Sequence, residues 1–434
     1  MKSNNRLSRR GFLGRIGATA VGGLGAATLT PARRASAKRV GANDKINIAM
    51  IGTGNMGGRH LEALAVNPNC NVVALCDVFT PRYEAAIKKH EEMNGKRPDG
   101  YQDFRHVLDR QDIDAIISPT PDHWHPLISI MSCQAGKDVY VEKPACPTVA
   151  EGRAMVEAAR RYGRVVQLGT QQRSTPIFQK AMEVVTSGQL GTITSATAWT
   201  GANGWGVGET PGPIPDGLDW DMWLGPAPYV PYSKDRHYGF MGWHDYARGG
   251  QLTNWGVHLV DILHWGIGQD RPLSVQATGG VYQGGAGSQN YETIEAILEY
   301  KGCTVTWEQR HSNVYQTERG YGMKFQGTKG QLLLDRNTFE VIPASTGIPK
   351  FLGEPERSWA SPEHHNNFFD CIRTRKRPNA DIEQGVRSTT AVLLAGVALK
   401  VRRKLNWDAD TETFIGDEEA NRYLSRTYRA PWHL

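Results

Sequence analysis

The sequence predicts an α/β protein with two parts: an N-terminal doubly wound parallel sheet, and an α/β domain with a large, open, mostly antiparallel sheet. Three observations carry this. Strand and helix signals alternate from residue 46 to about residue 168, as successive βαβ units require. A glycine-rich turn joins the first strand to the first helix. After about residue 190 the apolar pattern changes to period two, the mark of half-buried antiparallel strands.

Residues 46–51 form an apolar run, as in a parallel strand covered on both faces. The run enters Gly52-x-Gly54-x-x-Gly57, and a helical pattern follows over 60–66. Gly52 permits the tight turn, Gly54 lets backbone approach a diphosphate, and Gly57 lets the helix pack on the strand. Free N–H groups at the helix start would then hold the diphosphate. The next strand, 71–77, ends on Asp77, 20 residues after Gly57. A carboxylate there binds a ribose 2′-hydroxyl and repels a 2′-phosphate. The stretch therefore predicts a Rossmann domain that takes NAD in preference to NADP.

A third strand is expected over 113–118, ending in Thr120-Pro121-Asp122-His123-Trp124-His125, and the next over 138–142. Thr148 with Glu151 reads as a capping box opening a helix over 149–162, before a strand at 165–168. Period-two runs follow at 192–200, 273–281, 292–300, 304–309, 323–326 and 331–335. The Gly/Pro-rich stretch 201–217 reads as a long loop. Helices are expected over 366–375 and 382–404, the second capped by Asp381, with Arg402, Arg403 and Lys404 at its negative end. The expected division is 1–37 leader, 38–168 Rossmann domain, 169–365 sheet domain, and 366–434 helices and tail packing back on the Rossmann domain.

The leader is read from Ser8-Arg9-Arg10-Gly11-Phe12-Leu13, a Gly/Ala-rich apolar stretch over 16–29, and Ala35-Ser36-Ala37. In that order they predict a twin-arginine export signal with a small-residue cleavage site, and a periplasmic protein. The route carries folded proteins, which suits an enzyme loaded with its cofactor before export. The stretch is too short and glycine-rich to anchor in a membrane. No later run reaches the roughly 18 apolar residues of a span. The leader holds seven cations and no acid, so its removal takes the formal charge from +6 to about −1. No nucleic-acid partner is expected. Six cysteines show no CxxC or CxxH spacing; Cys76 and Cys146 read as core residues.

Val141-Glu142-Lys143-Pro144 stands at the carboxyl end of a strand, where open α/β sheets place ligands. A partly desolvated lysine there gives up its proton more readily and can exchange one with a hydroxyl. Asn254, His258 and Asp261 follow Gly249-Gly250 at spacings that put all three on one helical face. Near Lys143, His258 would be a second proton-transfer group; out of context it is a packed or capping histidine. A metal reading of His258 with Asp261 or His264 lacks a third ligand, and no metal is expected. Seven of the twelve tryptophans lie between Trp199 and Trp265. Flat aromatic faces suit sugar rings, but packing must explain most of them.

Together these motifs resemble the Gfo/Idh/MocA oxidoreductases over roughly residues 45–410. The resemblance rests on Gly52 to Gly57, Thr120 to His125, Glu142-Lys143-Pro144, Gly249-Gly250 with His258 and Asp261, and Asn379-Ala-Asp-Ile-Glu383. It implies that Lys143 is the central acid/base group and His258 its partner at the substrate oxygen. Polyol dehydrogenases of the family commonly carry Asp four residues before that histidine. Here it is Asn254, which cannot take a proton but can orient a hydroxyl. The resemblance also puts Asn55 and Met56 at the diphosphate and Asp77 at the adenosine ribose. Thr120, Trp124, His125, Glu142 and Gln171 fall on the nicotinamide side, and Arg173, Asp245 and Tyr246 in the substrate pocket. It implies hydride transfer between tightly bound NAD and a sugar, polyol or glycoside, in a homo-dimer or tetramer. Two other readings stay open: a redox-assisted glycosidase resembling the NAD-dependent α-N-acetylgalactosaminidases, and a non-enzymatic dinucleotide or sugar sensor.

Overall fold

The computed structural model describes Gly41 and residues 44–201, 208–282, 289–311, 319–343, 346–353 and 361–434. The expected leader and part of the expected 201–217 loop lie outside these residues. The first sheet contains β1 (Ile46–Ile51), β2 (Cys70–Cys76), β3 (Asp99–Tyr101), β4 (Ala115–Ser118), β5 (Asp138–Val141) and β6 (Val166–Leu168). All pair in parallel, in the order β3-β2-β1-β4-β5-β6. The order reverses between β1 and β4, and their carboxyl ends open the crevice where such sheets bind ligands. The helix after β1, Asn55–Ala65, starts inside the glycine motif rather than at residue 60. The helix Thr80–Asn94 gave no clear apolar pattern because only Ala86, Ile87 and His90 on it are buried.

Each of the six period-two runs forms a strand: β7 (Ile193–Thr200), β8 (Ser274–Gly280), β9 (Thr293–Tyr300), β10 (Cys303–Arg310), β11 (Tyr321–Gly327) and β12 (Gln331–Leu334). They belong to a ten-stranded sheet completed by β13 (Thr338–Ile342), β14 (Phe351–Leu352), β15 (Leu405–Asp408) and β16 (Thr413–Phe414). Only β10 beside β7 is parallel among its described pairs. The segment after the helix Ile382–Val401, expected as helix and tail, instead adds β15 to this sheet, with Leu405 opposite Val275.

The two sheets share one core. Val139 and Val141 of β5, Met155, Val305, Trp307 and Val386 belong to a single cluster of buried apolar side chains. Phe368 and Phe369, on the helix Pro362–Thr374, pack with Ile46 and Ile48 on the Rossmann side.

The Thr148–Glu151 pair departs from a capping box. The Thr148 hydroxyl donates to Glu151 Oε2 at 2.6 Å and caps no backbone N–H. Glu151 is buried, and its Oε1 accepts from Tyr428 at 2.6 Å and from Arg426. The motif therefore ties the C-terminal tail to the Rossmann domain, where Trp432 meets Trp124 edge-on. Asp381 does cap its helix, accepting from the Glu383 N–H at 3.1 Å. Arg403 and Lys404 turn from the helix end to Asp417 and Glu299. The six cysteines are buried and unpaired. Among the described residues no helix is long and apolar enough to cross a membrane.

Candidate active site

A cavity of about 350 Å³ opens at the carboxyl ends of β1, β4 and β5. Gly52, Gly54, Asn55, Met56 and Asp77 line it at the glycine turn, with Thr120 beside Gly52; Trp124, Glu142, Lys143 and Asn254 line it as well. Gly52 needs its glycine, with φ of +99°. Gly57 lies behind the lining, where a Cβ would come within 2.2 Å of the Gly52 carbonyl oxygen. It sets the helix against the strand, as its place in the motif predicts. A Cβ on Gly54 would meet only Arg82 Nη1, at 3.7 Å, so backbone here stays open to a ligand. Arg82 lies beneath Phe79 and Tyr238 and lines the cavity.

Asp77 has a second task. Its Oδ2 accepts from the Thr53 N–H at 2.8 Å and the Thr53 hydroxyl at 3.2 Å, and its Oδ1 from the Phe79 N–H at 3.0 Å. The carboxylate thus pins the glycine loop to the end of β2 while lining the cavity.

Elsewhere in the lining, Lys143 Nζ donates to Asn254 Oδ1 at 2.5 Å. Burial lowers the Lys143 pKa and nearby Arg336 pushes the same way, while Glu142 and Asp122 oppose them. Glu142 is fixed behind the lysine, its Oε1 3.0 Å from His60 Nε2, and His60 Nδ1 is 2.9 Å from His365 Nε2. Burial alone would raise the Glu142 pKa; the His60 hydrogen bond and charge, with Lys143 alongside, bring it below its ordinary value. The carboxylate fits because residue 169 is glycine: a Cβ there would lie 2.5 Å from Glu142 Oε1. Asp122, on the 3₁₀ turn Asp122–Trp124, also lines the cavity, and burial pushes its pKa up to about 7. It stands in the strand-end motif, and its signal was that it is the motif's only carboxylate.

His258 is buried on the helix Gly256–Ile267, and its Nδ1 has no hydrogen-bond partner among the described residues. Burial, then Arg336 and Lys143, hold its pKa well below the ordinary value, so the imidazole is neutral. It is not among the residues that line the cavity. The expected common face with Asn254 and Asp261 is divided: the helix Gln251–Asn254 ends before a second begins at Gly256. The Asp261 carboxylate accepts from Arg173 at 2.6 and 2.9 Å and from Ser388 at 2.8 Å.

Four assigned residues lie elsewhere. Arg173 is buried in that ion pair with Asp261, against Trp265, away from the cavity. Tyr246 is fully buried in an aromatic cluster with Trp223 and His123. Asp245 lines a different cavity, with Arg236 at 3.5 Å. Gln171 is buried on a 3₁₀ turn outside the lining. His125 has a positioning role: its ring nitrogens contact the carbonyls of Pro144 at 2.7 Å and Thr120 at 2.8 Å, joining the two strand-end loops. Of the tryptophans between 199 and 265, Trp223 lines the cavity, and its carbonyl oxygen accepts from Trp124 Nε1 at 3.0 Å.

Comparison with known proteins agrees with this architecture. An inositol 2-dehydrogenase from Salmonella paratyphi B is 27% identical over 227 residues, 52% of this chain and 55% of the relative. A glycosyl hydrolase family 109 protein from Saccharopolyspora erythraea is 30% identical over 177 residues, 37% of this chain and 38% of the relative. The chain thus spans about half the length or less of the curated relatives it matches. The WlbA dehydrogenase from Bordetella pertussis, solved with NADH and UDP-GlcNAcA, shares the fold with a TM-score of 0.64 at 19% identity. That match covers 84% of this chain and all of the other. Residues 46–170 match the model described as oxidoreductase family, NAD-binding Rossmann fold, and residues 176–434 the one described as oxidoreductase family, C-terminal alpha/beta domain. The chain belongs to the Gfo/Idh/MocA oxidoreductase family.

Proposed function

We propose that the protein is a nicotinamide-dependent dehydrogenase acting on a hydroxyl or keto group of a sugar or polyol. The observation that carries this reading is Lys143, half-buried at the cavity wall, desolvated, and held by Asn254 Oδ1 at 2.5 Å. The glycine turn fits a dinucleotide, because Gly54 leaves its backbone open to a ligand while Gly52 and Gly57 shape the turn and the helix start. Asp77 at its rim favours NAD over NADP. When bound, the nicotinamide supplies the hydride acceptor or donor.

The chain's own groups handle the proton. In the oxidising direction, neutral Lys143 accepts the proton of the substrate hydroxyl. Asn254 fixes the amine and can orient a neighbouring hydroxyl. His258, uncharged and buried nearby, supports the lysine without adding a cation. In the reducing direction the ammonium returns the proton to the forming alkoxide. Lys143→Met should cut turnover by at least about a hundredfold while the protein still binds NAD. Turnover within a fewfold of the parent protein would remove Lys143 from the reaction.

A second reading draws on the similarity to family 109 glycosyl hydrolases: transient oxidation beside a glycosidic bond, elimination, and re-addition of water. Release of an aryl group from an aryl glycoside, without added nucleotide, distinguishes it. Residues 1–37 support export by the twin-arginine route to the periplasm, with NAD carried tightly bound. β9 and β10 bury alternate residues and leave the intervening ones partly exposed, which supports assembly into a homo-dimer or tetramer through the large sheet.

A further inference from the structure

A second cavity, of about 480 Å³, shares no lining residue with the dinucleotide cavity. Its walls come from the start of the helix Val149–Arg161, the end of the helix Ile382–Val401, and the tail segment 422–427. Leu252, Ile294, Leu393 and Val397 give it an apolar floor. The volume falls within the range of small-molecule sites.

The charge at its rim is one-sided. Arg248, Lys400, Arg422 and Arg426 line it, against one carboxylate, Asp245. Arg426 is neutralised by Glu151, and Asp245 is drawn towards Arg236. Among the described residues no carboxylate lies within ion-pair distance of Arg248, Lys400 or Arg422. Arg248 Nε is buried without a hydrogen-bond partner among the described residues. Lys400 Nζ is held over the Tyr423 ring, 4.5 Å from its centroid. Burial lowers the Arg248 pKa and Arg426 adds to this, while Glu151 and Asp245 oppose them without outweighing them. A desolvated guanidinium with no carboxylate in direct contact is unfavourable, and an anion beside it removes that cost. Guanidinium groups match oxyanions in geometry as well as charge.

We propose that this cavity binds a small organic oxyanion, a sugar acid or a sugar phosphate, at a site separate from the dinucleotide cavity. Arg248 is its inner ligand, and Lys400 and Arg422 close over it from the rim. The site stands independently of the hydride chemistry proposed above.

The test is calorimetric titration of the purified protein with inorganic phosphate, gluconate, glucose 6-phosphate and glucose. The parent protein should bind gluconate or glucose 6-phosphate with Kd at or below about 1 mM and leave glucose unbound. Preference for gluconate identifies a carboxylate site; preference for glucose 6-phosphate, with inorganic phosphate competing, identifies a phosphate site. The double variant Lys400→Ala/Arg422→Ala alters two exposed side chains and should fold normally. It should weaken binding at least about tenfold with NAD affinity unchanged, and Arg248→Gln should do the same. Absence of binding by all three anions overturns the proposal. So does anion binding that NAD displaces and these variants leave unchanged, because the anion then occupies the dinucleotide cavity.

Discussion

Replacing Asn254 with aspartate puts a full negative charge where a neutral amide oxygen now accepts from Lys143 Nζ at 2.5 Å. At about 3 Å and an effective dielectric of about 20, a unit charge pair is worth on the order of 5 kcal/mol. At about 1.4 kcal/mol per pKa unit, that sets an upper limit near four units. Glu142 and Asp122 already act on the lysine, and the new side chain can relax. The expected rise in the Lys143 pKa is therefore about one to three units. The neutral lysine available near pH 7 then falls about tenfold to a thousandfold. The assay needs no substrate: the rate of Lys143 acetylation by acetic anhydride is followed by mass spectrometry across pH in both proteins. The acidic limb of any sugar-oxidation pH profile, where protonation removes the base, should move up with it. An apparent pKa that shifts by less than about 0.3 unit, or falls, would refute the claim that Asn254 leaves Lys143 poised to lose its proton.

Three further perturbations bear on the same structure. Gly57→Ala drives a Cβ to 2.2 Å from the Gly52 carbonyl oxygen; it should cost about 1–3 kcal/mol in denaturant unfolding and abolish NAD binding, and parental NAD affinity would contradict the cradle. Asp122 keeps its proton in the fold up to about pH 7, whereas an unfolded aspartate loses it near pH 4. Its contribution therefore lowers stability as pH rises between those values. Asp122→Asn should flatten the fall in Tm over that window, and a variant whose pH–Tm curve parallels the parent's would show Asp122 ionised throughout. Glu151→Gln leaves Arg426 buried without its counter-charge and should destabilise by roughly 3 kcal/mol in chemical denaturation; a change under about 0.5 kcal/mol would mean that the tail is held by its other contacts.

The features legible in the sequence were those whose cause is local. Gly57 answers to Gly52, five residues before it, and Gly52 to its own positive φ, so the motif alone placed the cradle. Alternation along a single strand exposed six strands of the large sheet without knowledge of their partners. Long-range causes stayed hidden. Nothing local marks 405–408 as a strand, because its partner Val275 is 130 residues away. Glu151 matched a capping box because Arg426 and Tyr428, which share its carboxylate with Thr148, lie near the other end of the chain. The family resemblance puts Arg173 and Asp245 in the substrate pocket by position, but Asp261 and Arg236 pair with them outside the dinucleotide cavity. The contact between Lys143 and Asn254 spans 111 residues, and the family resemblance, not spacing, brought the two together. Asp122 went unassigned because a buried carboxylate and an exposed one look alike in a motif.

The most direct test of the central claim is the absorbance near about 340 nm of the purified protein as sugars, polyols and aryl glycosides are added without nucleotide. An oxidoreductase with resident NAD gives a sugar-dependent rise that a keto-sugar reverses, and the Lys143→Met variant gives none. A protein reconstituted with NAD whose absorbance no sugar or polyol moves, or one that releases the aryl group with no lasting rise, contradicts the account.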